Sequence, residues 1–248
     1  HVQASGKLAA ALAEWKRLLE RWPQSEEARQ AREEIRAITL EYVSITPRQF
    51  QVSPNERIEL LLQARNLHSV SVALYRVSPK QLLEAGDPDN FNLSVFVSGT
   101  PVLRKEVQLP IGEDYRPTTT SVVLQSEATE RGERLPKGLY VVAAQGGNAS
   151  AYHIFAVSEL LLVTKPAGQR LDVWSVDATT GRPIAGVEIS LRGSGKQAAT
   201  QSKTQRLSSQ LDGVQSVRSD GNGLASFSIE SRRGALIVAR FGEDIAFV

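Results

Sequence analysis

Over the first 39 positions the apolar residues recur three and four apart. Leu8, Ala11, Leu12, Trp15, Leu18, Leu19 and Trp22 then share one face of a helix. Pro23 cannot continue that helix, because its ring blocks the preceding turn and it has no N–H to donate. The tetrapeptide WPQS therefore reads as a stop and a restart. Ser25 suits an N-cap, and Glu26 and Glu27 follow in the first turn, where the helix dipole favours negative charge. Ala28, Ala31, Ile35 and Ile38 supply the inner face of a second helix. Residues 7–38 are thus predicted to form an antiparallel αα-hairpin.

From Leu40 the period changes to two. YVSI, QFQV, RIELLLQARNL and VSVALYRV are rich in β-branched and aromatic residues, and Pro47, Pro54 and the stretch 66–69 bound them. PKQLLEAG predicts one short helix with Gly86 as its stop. Further strands are predicted near 93–97, 102–109, 119–124, 139–144 and 152–157. LPKG is a turn into the strand at Leu139, with Gly138 supplying a positive φ. About 115 positions of short strands parted by turn residues fit one antiparallel sandwich.

A second all-β unit is expected from Ser158. Its strands read ELLLVTK, RLDVWSVD, VEISLRG, LASFSIE and ALIVARFG. Val187, Ile189 and Leu191 alternate with Glu188 and Ser190, the mark of a strand with one buried face. Ala225, Phe227 and Ile229 repeat the device. Between these strands residues 196–217 are rich in Ser and Gln, which predicts a long polar loop or a hairpin extension with a weak strand around 211–217. The expected fold class is mainly β: two tandem antiparallel β-sandwiches of macroglobulin or fibronectin III-like type, behind a short α-helical hairpin. The domain boundaries fall at 1–39, 40–157 and 158–248.

Two glycine turns bear on function. In DATTGRP, Asp177 can bond the backbone groups that the turn leaves free, Gly181 accepts positive φ, and Pro183 suits the first residue of a strand. Gly186 is expected at a bulge before Val187. SDGNG has only Asp220 as an acid, far short of a calcium loop, and its Asn222 and Gly223 suit a tight hairpin turn. Both read as folding devices. RGSGK at 192–196 lacks the full phosphate-loop pattern and does not lead into a helix.

Charge and composition narrow the function further. Basic and acidic residues balance in each part: 7 against 6 over 1–39, 11 against 12 over 40–157, and 11 against 9 over 158–248. No segment concentrates positive charge, so a nucleic-acid footprint is not expected, and the pair Arg232–Arg233 is too small to make one. Arg131, Glu133 and Arg134 read as a solvated polar turn. No apolar run approaches the roughly 18 residues of a membrane span. The absence of Cys removes disulfides and thiolate chemistry from these 248 residues. The three histidines, His1, His68 and His153, show no metal-ligand spacing, and His153 in the strand AYHIFAV reads as structural. No catalytic residue, cofactor-binding residue or metal ligand is assigned, and no cofactor is expected. With Met absent even at position 1, the chain reads as an internal fragment.

Three stretches carry a resemblance. YVSITPRQFQVSPNERIELLLQARNL with VSVALYRV, then LPKGLYVVAA, then LLLVTKPAGQRLDVWSVDATTGRPIAGVEISL with SDGNGLASFSI and ALIVARFGEDIAFV resemble, in that order, the amino-terminal macroglobulin-like domains of the bacterial alpha-2-macroglobulin family. The hairpin AxAEWKRLLERWPQSEEARQA resembles the end of a tetratricopeptide repeat and is foreign to the macroglobulin pattern. The resemblance implies a non-catalytic structural fragment of a broad-spectrum protease inhibitor that traps proteases after a bait segment is cleaved. Its implied partners are endopeptidases, met through the full-length protein, and other domains of the same chain, with no nucleic acid and no membrane span. Its implied location is the periplasm or the extracellular cell envelope. Without Cys, the family's internal thioester has no place in these residues. The alternative reading is a cell-surface or envelope binding or adhesion module, because TGRPIAG and DGNG also resemble transthyretin-like and fibronectin-like domains.

Overall fold

The computed structural model describes residues 8–47, 50–54, 56–85, 92–110, 115–124, 135–193, 214–229 and 235–248. The two amino-terminal helices are α1 (Leu8–Arg21) and α2 (Glu26–Thr39). The Ser25 hydroxyl accepts a hydrogen bond from the Ala28 N–H at 3.2 Å, as its position in WPQS requires. Leu12, Ala28, Ala31 and Ile38 are the buried apolar residues of the pair. Two of these four are alanines, so the helices approach closely but enclose little core.

The first sandwich is built from β1 (Tyr42–Pro47), β2 (Gln51–Val52), β3 (Glu59–Arg65), β4 (Ser69–Val77), β5 (Leu103–Gln108), β6 (Thr118–Val123), β7 (Gly138–Gly146) and β8 (Ala149–Val157). Strands β1, β3 and β6 form one sheet, and β2, β8, β7, β4 and β5 the other. In β3 the alternation Leu60, Leu62, Ala64 faces the core, where it meets Tyr140, Val142 and Phe155 of the opposite sheet. The pairings are antiparallel except for the two residues of β2, which run parallel to β8, because the chain changes sheet between β1 and β3.

Strand β7 is buried from Gly138 through Ala144, on both faces. A strand with one wet face would alternate. The unbroken apolar run GLYVVAA is therefore explained by a second layer on the sheet's outer side. That layer includes α3 (Pro79–Glu84), closed at its start by a reciprocal capping box between Ser78 and Gln81. Gly86, its expected stop, lies outside the described residues. The layer also includes Leu93–Phe96, where the sequence pattern predicts a strand and the structure has a 3-10 helix. The Asn92 side chain accepts the Ser94 N–H at 3.0 Å and starts that turn, and Phe96 buries its ring against the sheet. Local capping and tertiary burial override a β-rich sequence here.

The second sandwich comprises β9 (Leu160–Ala167), β10 (Arg170–Asp177), β11 (Glu188–Gly193), β12 (Val214–Arg218), β13 (Leu224–Ser228), β14 (Ala235–Phe241) and β15 (Asp244–Phe247). One sheet has the order β13-β10-β9 and the other β12-β11-β14-β15. The weak strand expected near the end of the polar loop exists as β12, while 194–213, like Arg131, Glu133, Arg134, Arg232 and Arg233, lie outside the described residues.

Both glycine turns carry the chain between sheets: β12 passes to β13 at SDGNG without pairing, whereas at DATTGRP the Asp177 N–H to Arg182 carbonyl and Ile184 N–H to Ser175 carbonyl bonds first close a short hairpin before the chain goes on to β11. The sequence pattern of strand, turn, strand is the same in either case, and only pairing partners distinguish them. At the first turn the Asp177 carboxylate accepts the N–H groups of Thr179 and Thr180 and the Thr180 hydroxyl, at 2.7 to 3.1 Å. Gly181 takes φ 68°, and Pro183 makes only an isolated bridge to Val176 before the chain leaves the sheet. At the second, Asp220 accepts from Asn222 and Leu224. A Cβ on Gly223 would lie 2.5 Å from the Ser175 carbonyl oxygen, so close approach as well as its φ of 73° demands glycine. The hydroxyls of Ser175 and Ser219 both donate to the Ile184 carbonyl, at 2.8 and 3.0 Å, and tie the turns together.

Candidate functional site at the junction of the two sandwiches

The described residues include no group of three or more His, Asp and Glu placed to hold a metal ion. His68 is exposed in the β3–β4 turn, His153 is buried in β8, and His1 lies outside the described residues. Among the described residues a polar network sits where β8 passes into β9, between the sandwiches.

Its centre is Asp244, the first residue of β15, delivered by the β14–β15 turn in which Gly242 has φ 60°. One carboxylate oxygen accepts the Ser158 hydroxyl at 3.1 Å and the Glu159 N–H at 2.8 Å. The other accepts the Lys137 ammonium at 2.8 Å, and Lys137 also donates to Glu159 at 2.5 Å. The two carboxylates and one ammonium therefore join the turn before β7, the linker and the last hairpin of the second sandwich. From the other side the Gln51 amide donates to the carbonyls of Ser158 and Leu160, at 3.3 and 2.8 Å. Ser158 is fully buried and donates its N–H to the Val52 carbonyl. The linker is thus held by side chains from both domains.

Burial by itself would lower the Lys137 amine, but the hydrogen bonds and charges of Asp244 and Glu159 outweigh it and hold the group above the ordinary lysine value. Nζ is then an ammonium with no free lone pair, so it bonds these carboxylates as a cation and does not attack them. The contact is two ion pairs that share Lys137, with hydrogen bonds from Ser158, Glu159 and Gln51 around them, an arrangement that fixes the position of the linker.

An apolar seam lies beside the network. Val77, Leu82, Phe96, Leu139, Val141 and Ile154 of the first sandwich form one cluster with Val214, Val238 and Ile245 of the second. The Arg192 guanidinium of β11 donates to the Leu83 carbonyl at the end of α3, across the same seam. Next to it a cleft of about 320 Å³ is lined by Lys80, Glu188, Ser190 and Arg240, among others.

Sequence reasoning found the strands that carry this junction but not its polar residues. Lys137 and Asp244 lie 107 positions apart, one in the turn before β7 and the other at the first position of β15, where charged residues are ordinary. The usable signal was the doubly apolar β7, which required a covering layer.

No known family profile matches the chain. Over 57 residues it is 39% identical to the alpha-2-macroglobulin of Ralstonia nicotianae, a match covering 23% of this chain and 4% of that protein. The crystal structure of native Escherichia coli alpha-2-macroglobulin spanning domains NIE-MG1 superposes with a TM-score of 0.57 at 17% identity, covering 85% of this chain and 97% of the other. The chain has the fold of alpha-2-macroglobulin domains. The longer Escherichia coli structure spanning MG0-NIE-MG1 agrees, at TM-score 0.56, 16% identity and coverage of 84% and 63%. So does the Salmonella alpha-2-macroglobulin reacted with methylamine, at TM-score 0.52 and 18% identity, of which this chain covers 12%. The chain therefore spans a small part of those alpha-2-macroglobulins, and the resemblance read from the three sequence stretches agrees with both comparisons. Among the described residues no helix is long and apolar enough to cross a membrane.

Proposed function

We propose that this chain is a non-catalytic structural part of a bacterial alpha-2-macroglobulin-like protease inhibitor, acting in the periplasm or the extracellular envelope. The observation that supports it is the pair of macroglobulin-type sandwiches fixed to one another through Asp244, Lys137 and the buried Ser158 linker. A trap that closes on a protease needs parts that do not deform, and a junction with an apolar seam and a saturated polar network supplies one. In this reading the endopeptidase meets the full-length protein, and these domains position the rest without touching substrate.

The test uses the full-length parent protein and a broad-specificity protease. Trapping predicts one cleavage in the parent, a protease that co-migrates with it, and hydrolysis of a small peptide substrate with protection of a large one. A protease that is neither retained nor able to cleave the parent overturns the proposal. Asp244→Ala in the parent is expected to weaken retention while leaving cleavage intact, since it loosens the frame and not the bait.

A further inference from the structure

Helix α1 carries more apolar surface than α2 covers. Leu12, 4% exposed, is its one buried residue. Ala11, Trp15, Leu18 and Trp22 follow one another at steps of four, three and four, and among the described residues they line an open groove of about 640 Å³. Such steps make a continuous stripe along a helix. Trp22 is 56% exposed at its end, far more than so large an apolar side chain needs to be in a finished core. Arg17 and Arg21 border the stripe, against the single acid Glu14. Glu14 pairs with Arg17 at 2.7 Å with both side chains exposed, an interaction that exchanges partners at little cost. The Arg21 guanidinium lies 5.4 Å from the centre of the Trp22 ring, so a carboxylate reaching Arg21 also arrives beside the indole.

We propose that this groove docks an amphipathic helix of another protein, with an apolar stripe flanked by Asp and Glu. The net positive border selects acidic flanks, and the groove runs the length of a helix of three to four turns, like α1 itself. A second copy of this chain is a poorer occupant through α2, because that helix buries its apolar residues Ala28, Ala31 and Ile38 and shows chiefly Arg, Glu and Gln elsewhere.

The probe is a fluorescein-labelled synthetic helix with a Leu/Ala stripe and Glu flanks, compared with the same stripe flanked by Lys. Anisotropy titration against the 248-residue chain is expected to give saturable binding of the Glu peptide, at least about tenfold tighter than the Lys peptide, weakening as salt rises from about 0.05 to 0.5 M. Leu18→Glu and Trp22→Ala should each lower affinity about tenfold. Both positions are part-exposed, so circular dichroism should show the fold unchanged. Arg21→Ala should narrow the gap between the peptides. The idea is overturned if neither peptide binds, if the two bind equally, or if Leu18→Glu binds as the parent does. It is equally overturned if sedimentation shows a dimer of this chain that Trp22→Ala dissolves.

Discussion

The two junctions of this molecule are made from different materials. Between the sandwiches, an apolar seam of residues from β4, α3, β7, β8, β12, β14 and β15 lies beside the Asp244 network. Between the helical hairpin and the first sandwich, hydrogen bonds join the described residues. The Arg65 guanidinium donates to the Ala37 carbonyl at 3.0 Å, and the Asn66 amide donates to the carbonyls of Ile38 and Leu40 at 2.8 and 3.0 Å. Glu41 accepts the Asn148 N–H at 2.7 Å. Among the described residues no buried apolar cluster joins the hairpin to the sheets. Burial of apolar surface carries most of the stability of an interface, while an exposed hydrogen bond nets only about 1 kcal/mol. The sandwiches should therefore unfold together, and the hairpin should come away first.

The largest break comes from putting a charge into the seam. Val238, 3% exposed in β14, meets the first sandwich there. Val238→Asp is expected to cost about 3 kcal/mol or more, because an unpaired buried carboxylate must be accommodated. Calorimetry should show a single sandwich transition split in two. One undivided transition, merely shifted, would mean that the seam does not couple the domains.

Next is Asp244→Ala, which strips acceptors from Lys137, the Ser158 hydroxyl and the Glu159 N–H together. A loss of about 2 to 3 kcal/mol in urea unfolding is expected, since groups near a buried linker lose their partners. Asp244→Asn should recover part of it by keeping an acceptor for the linker.

The hairpin junction should yield to a smaller change. Asn66 has φ 58°, so Asn66→Gly keeps the backbone conformation and removes only the side-chain bonds to Ile38 and Leu40. A cost of about 1 to 2 kcal/mol is expected, confined to the hairpin. Hydrogen exchange should quicken in α1 and α2 and stay unchanged in β7 and β11. Equal quickening throughout would erase the contrast between the junctions.

The smallest effect is read against pH. His153 is 8% exposed, its Nε2 has no hydrogen-bond partner among the described residues, and its ring lies 5.1 Å from that of Phe50. Burial pushes its imidazole below the ordinary 6.5. The folded state therefore binds this proton less readily than the unfolded chain does. Its contribution is complete above about 6.5 and is lost as pH falls toward the lowered value. Denaturant midpoints should drop over that interval, and His153→Leu should flatten the drop. An unchanged pH profile in the variant would assign the loss to other groups.

Much of the frame is legible in the sequence. The stop at Pro23, the cap at Ser25 and the period of two from Leu40 each follow from a local rule, and the structure places helices and strands where those rules put them. Two local readings failed for opposite reasons. Leu93–Phe96 has the composition of a strand, yet the Asn92 cap and the burial of Phe96 make it a 3-10 turn. SDGNG has the composition of a hairpin turn, yet it is an arch, because β12 and β13 find their partners in different sheets.

The sequence by itself determined which segments are helix or strand, which faces are apolar, and that the turns at Gly181 and Gly223 need backbone freedom. Periodicity, capping and φ preference act over a few residues, so a linear reading suffices for them. The tertiary structure alone decided that Asp244 reaches Lys137 and Ser158, and that β7 is covered on one face by the β1-β3-β6 sheet and on the other by α3, Phe96 and the second sandwich. Those outcomes depend on groups up to 107 positions apart meeting across a packed interface. No local pattern encodes such a meeting, because it is set by how whole sheets pack.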